Sequence, residues 1–72
     1  MQRTHVESTN LKSVGWEAKG RVLEVEFHTG RVYQYQDVPH EVYRALKDAP
    51  SIGVFFNTTI RPYYKCQEVQ HK

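Results

Sequence analysis

The stretch NTTIRPYYK, residues 57–65, interleaves Asn57, Arg61, Tyr63, Tyr64 and Lys65. Amide, guanidinium, ammonium and phenol groups contact phosphates and stack on unpaired bases, so these side chains form the candidate nucleic-acid-binding set, to which packing could bring Arg31 or Arg44. A plainer reading is that Asn57 bonds to nearby backbone and one tyrosine fills the core. Other chemistry is sparse. His5, His28, His40 and His71 lack the close spacings of a zinc site, and the single cysteine, Cys66, cannot complete one, so neither metal nor cofactor is expected. Cys66 has no base near it in sequence and reads as an inert, reduced thiol of a cytoplasmic protein. Glu24 and Glu26 share a strand face, yet a solvated face explains them better than paired catalytic carboxylates. Asp37 and His40 flank a helix start, where capping accounts for both. The glycines are isolated and build no phosphate loop. No catalytic set is recognisable, and an enzyme is not expected.

The elements that position these groups must come from 72 residues, enough for one small domain over 1–72 with a core of about 8–66 and fraying ends. The formal net charge of +2 permits nucleic-acid contact without demanding it, so the placement of the charges decides. The opening MQRTHVESTN has no apolar signal region, and no apolar run is long enough to span a bilayer, so no membrane partner is expected.

Residues 11–16 place Val14 and Trp16 on one face of a short extended segment. RVLEVEF alternates Leu23, Val25 and Phe27 against Glu24 and Glu26, the pattern of a half-buried antiparallel strand with its glutamates facing water. RVYQYQ sets Tyr33 and Tyr35 on one face, with Val32, Gln34 and Gln36 on the other. Turns at AKG and HTG join these segments into a meander. The apolar face needs Tyr33 and Tyr35, which therefore lie beneath the helices rather than forming an open stacking platform.

From Pro39 the period changes. Val38, Val42, Ala45, Leu46 and Ala49 recur at helical spacing until Pro50 stops the helix. Ser51 is the predicted N-cap of a second helix, SIGVFFNTTI. Gly53 costs about 1 kcal/mol there relative to alanine, which suggests a close backbone approach. The tail holds a short extended piece around residues 63–69.

Ser8, Leu11, VGW, LEVEFHTGRVYQYQDVP, VYRAL, SIGVFFN and IRPYY, taken in succession, resemble the KTSC domain. That small module is found at the C-terminus of some lysyl-tRNA synthetases and as stand-alone bacterial and phage proteins. Its central tyrosine-any-tyrosine motif matches Tyr33, Gln34 and Tyr35, and its later motif matches Ser51, Gly53, Phe55, Phe56 and Asn57, with Phe55 in place of a tyrosine. The resemblance covers about residues 8–66. It implies binding of nucleic acid, RNA more than DNA, because of the attachment to a synthetase. Similar phage proteins have been associated with helicases, which points the same way. The expected fold is α+β: a three-stranded antiparallel meander followed by two short helices packed on one face. The expected function is a small non-enzymatic nucleic-acid-binding accessory module. The alternative is a protein–protein adaptor docking onto a synthetase, helicase or similar machine.

Overall fold

In the computed structural model, residues 2–69 are described, and the sheet within them runs in chain order through β1 (Thr4–His5), β2 (Leu11–Glu17), β3 (Val22–Phe27), β4 (Val32–Tyr35) and β5 (Cys66–Val69). Every neighbouring pair is antiparallel. Between β4 and β5 the chain forms α1 (His40–Asp48), α2 (Ile52–Phe55) and a π-helical turn, Phe56–Ile60. The α+β class and the central meander match expectation, but the strand count is corrected from three to five. β1 is two residues long with both exposed, and β5 exposes its first three residues, so neither edge strand carries an alternating pattern.

Leu23 lies opposite Tyr35 and Val25 opposite Tyr33, which places the tyrosines on the inner face. A β-bulge between Leu11 and Ser13 lets Leu11 join Val14 in the core, although odd spacing should put them on opposite faces. Leu46 of α1 and Phe56 and Ile60 of the π-helical turn close this core. Phe56 meets Tyr35 edge-to-face at 5.4 Å between ring centroids and Phe27 at 5.6 Å. Tyr35 is 4 % exposed, so it is a core residue, while Tyr33 is half-buried. Trp16 donates from Nε1 to Val38 O at 2.8 Å and packs against His40.

The opposite face does not simply meet water. Glu24, expected in solvent, is buried at 7 % exposure. Arg3 is the reason: its guanidinium bonds Glu24 directly, lies 3.6 Å from Glu26, and donates from Nε to Ser13 at 3.0 Å. Gln34 Nε2 donates to the other Glu24 oxygen at 2.8 Å, and Ser13 donates to Glu26 at 2.9 Å. A buried carboxylate is tolerated because each oxygen has a partner. Gly15 makes room for this strap, since a Cβ there would sit 2.4 Å from Gln2 O.

The turns hold residues in left-handed backbone: Gly30 at φ 93°, and Gly20 at φ 81° followed by Arg21 at φ 51°. The capping role expected of Asp37 and His40 is not seen. The N-cap of α1 is Pro39, without a side-chain cap, His40 is the first helical residue, and Asp37 occupies φ 58°. Ser51 does cap α2, accepting from Val54 N at 3.4 Å. The second helix does not stay α. Arg61 N bonds to Phe56 O, five residues back, and Thr58 Oγ1 donates to Val54 O at 2.8 Å, competing with the helical ladder. No helix among the described residues is long and apolar enough to cross a membrane.

Candidate functional site

The open end of the tyrosine face is a cleft of about 640 Å³ between the β3–β4 turn, the β1–β2 turn and the π-helical turn. Its floor is aromatic. Phe27 and Tyr33, both half-buried, meet edge-to-face at 5.7 Å, with Tyr35 and Phe56 behind them. Arg31, His28, Asn10, Asn57 and Arg61 stand around the rim. Two backbone-directed bonds tie the rim together: His28 N donates to Asn10 O at 3.1 Å, and His28 Nε2 donates to Ser8 O at 2.9 Å. Arg31 lies 3.8 Å from Glu68 across β4–β5, an exposed pair that water and salt weaken.

The π-helical turn explains why Asn57 and Arg61 face this cleft. Its wider turn sends Phe56 and Ile60 inward as fully buried anchors and leaves Asn57 and Arg61 exposed. β5 then supplies Cys66, paired in register with Tyr35, as one wall. Burial pushes the Tyr35 phenol up to about 12. Cys66 adds to this electrostatically and through a side-chain hydrogen bond with the phenol, the Arg61 guanidinium opposes it, and Tyr33 adds to it last. Tyr35 thus enters the site as a neutral hydroxyl at any physiological pH.

The five side chains read from the sequence are divided by the fold. Asn57 and Arg61 line the cleft, whereas Tyr63, Tyr64 and Lys65 lie outside its lining. Tyr63 is 76 % exposed, Tyr64 packs against the core, and Lys65 is exposed with its carbonyl accepting from Gln36 N at 2.8 Å. Sequence reasoning missed His28 and Thr29, which reach the site through the turn between β3 and β4, while of the two arginines that packing could have added, Arg31 lines the cleft and Arg44 does not. It also gave Cys66 no role, but the thiol sits on the cleft wall. The signal was present in part: Phe27 and Tyr33 share a face at the strand ends nearest that turn. His71 lies outside the described residues.

Comparison with known proteins bears on the family and the fold. Residues 7–64 match the family model of the KTSC domain. An uncharacterised protein of Stutzerimonas stutzeri is 41 % identical over 89 % of this chain and 90 % of its own length. A lysine–tRNA ligase of Nostoc punctiforme is 36 % identical over 88 % of this chain, yet the match spans 11 % of that enzyme. The crystal structure of a KTSC domain protein from Yersinia pestis superposes with a TM-score of 0.92 at 32 % identity, covering 96 % of this chain and 97 % of that one.

Proposed function

This chain belongs to the KTSC domain family, and from that premise we propose that it is a small non-enzymatic nucleic-acid-binding accessory module that takes unpaired RNA in the cleft. The observation that carries the reading is the pairing of a half-exposed aromatic floor, Phe27 and Tyr33, with a rim of Arg31, Arg61, Asn10 and Asn57. Aromatic faces stack bases without regard to sequence, while guanidinium groups hold phosphates. A concave cleft admits a splayed base and excludes a stacked pair, so single strands are favoured over duplexes. Relatives named lysine–tRNA ligases carry a stretch like this one, which supports RNA over DNA and a cytoplasmic setting. Tyr63 and Lys65, exposed beside the cleft, extend the surface along which a backbone runs.

The test is a salt-dependent titration of the protein with single- and double-stranded RNA and DNA. A few phosphate contacts give affinities of about 10⁻⁴–10⁻⁶ M at physiological salt. Replacing Arg61 and Lys65 together with alanine flattens the single-strand salt slope by about 0.7 per lost contact. Tyr33→Phe should leave binding nearly intact, whereas Tyr63→Ala weakens single strands more than duplexes. Absence of binding to any of the four nucleic acids at low salt refutes the reading and leaves the protein–protein adaptor as the better account.

A further inference from the structure

Each glycine of this chain can be asked why it is not alanine. Gly20 and Gly30 hold positive φ, and at Gly15 a Cβ would collide with Gln2 O at 2.4 Å. Gly53 meets neither condition. Its φ is ordinary, and a Cβ there would lie 3.5 Å from Ser8 Oγ and 3.7 Å from Asn10 Nδ2, which is normal contact. Glycine is the poorest helix former after proline, so its use within α2 costs stability that the fold does not require.

Gly53 floors a second, smaller groove of about 290 Å³, together with Ser8, Ser51 and Val54. This groove is not separate from the aromatic cleft, because Thr9, Asn10 and Asn57 line both. The side-chain amides of Asn10 and Asn57 stand exposed at the junction, and neither makes a hydrogen bond among the described residues. Val54, which is 61 % exposed, offers the groove an apolar surface, and Glu7 is the carboxylate in its lining.

We infer that cleft and groove form one continuous track for a single strand, and that Gly53 keeps the groove floor open for the nucleotide next to the one stacked in the cleft. The inference rests on the nucleic-acid reading above and adds a footprint of more than one nucleotide. Asn10 and Asn57 bridge the two subsites by bonding the sugar–phosphate link between them. Arg31 and Arg61 attract the strand at the cleft end, where the positive charge lies.

The experiment measures binding of the hexanucleotides U6 and A6 and of the mononucleotides UMP and AMP to wild type, Gly53→Ala and Gly53→Gln, with a thermal melt of each protein. The Gly53→Ala melt should be unchanged or higher, which separates a blocked groove from a damaged fold. Gly53→Gln should weaken the hexanucleotides by about tenfold while leaving mononucleotide binding in the cleft unchanged, and Gly53→Ala should weaken them by a smaller factor. Wild-type hexanucleotide affinity in a folded Gly53→Gln protein overturns the track while leaving the cleft reading intact. Equal loss of mononucleotide and hexanucleotide binding in that variant also overturns it. Absence of binding by every probe to wild type overturns both readings together.

Discussion

Replacing Arg3 with alanine should unfold a substantial fraction of this protein, although Arg3 lies outside the core and almost at the start of the chain. Its guanidinium is the cation for two carboxylates on one sheet face, Glu24 and Glu26, whose side chains are 10 % and 16 % exposed. Breaking a fully buried ion pair by deleting one partner costs about 3–5 kcal/mol. Arg3 retains 21 % exposure, so screening lowers the expected loss to about 2–3 kcal/mol. A chain of this size has a margin of a few kcal/mol, and with a urea slope near 1 kcal/mol/M the midpoint should fall by about 2 M. The decisive assay is a double-mutant cycle in urea followed by Trp16 fluorescence. Glu24→Gln keeps an acceptor for Gln34 while removing the buried charge, so Arg3→Ala combined with Glu24→Gln should recover at least half of the single-variant loss. A loss under about 0.5 kcal/mol for Arg3→Ala, or strict additivity in the cycle, would refute the claim that Arg3 neutralises a buried carboxylate.

Tyr35→Ala removes a core ring in contact with Phe56 and should cost about 3 kcal/mol or more in a thermal or urea melt, while Tyr35→Phe should cost far less. Because the folded phenol ionises near 12 and the unfolded one near 10, the folded state holds more protons in that window; stability present below pH 10 should fall by about 2–3 kcal/mol as the pH rises to 12, and Tyr35→Phe should abolish the slope. Cys66→Ser should leave both melt and RNA binding unchanged, whereas N-ethylmaleimide on the thiol, which stands on the cleft wall, should lower binding without unfolding the protein. Gly15→Ala should cost about 1–3 kcal/mol and expose the amides of β1 to hydrogen exchange, since the new methyl group displaces Gln2.

What could be seen in the sequence is bounded by how far each signal reaches along the chain. Leu23, Val25, Tyr33 and Tyr35 announced the inner face because alternation is a property of neighbours, and Ser51 announced a cap because it acts on Val54. Glu24 was misplaced because its partner Arg3 is 21 positions away and joins it only through strand pairing. β1 escaped because a two-residue edge strand with solvated side chains carries no period, and β5 was legible only as an extended piece around residues 63–69, since its exposed side chains carry no alternation that would assign it to the sheet. In the candidate site, Asn57 and Arg61 were legible as polar residues on a helical segment. The departure of Tyr63 and Lys65 from their company follows from the π-helical turn, which threonine back-bonding favours but does not spell out. Arg31 could be named only as an alternative to Arg44, because a turn arginine looks like any surface charge until the fold brings its turn beside Asn10.

Sheet order equal to chain order has a kinetic consequence. β1 through β4 are joined by short connections, so each strand finds its neighbour by closing a small loop, a microsecond-scale event for a hairpin. β5 is different, because it reaches β4 only after the chain has travelled through α1, α2 and the π-helical turn. Its pairing carries the largest loop-closure entropy of any in the sheet, so it docks last and opens first. Since β5 supplies one wall of the cleft, the site belongs to the least protected cooperative unit of the molecule. A ligand seated there acts as a latch on the final strand, and native-state hydrogen exchange of residues 66–69 should slow more on binding than exchange in β2 or β3.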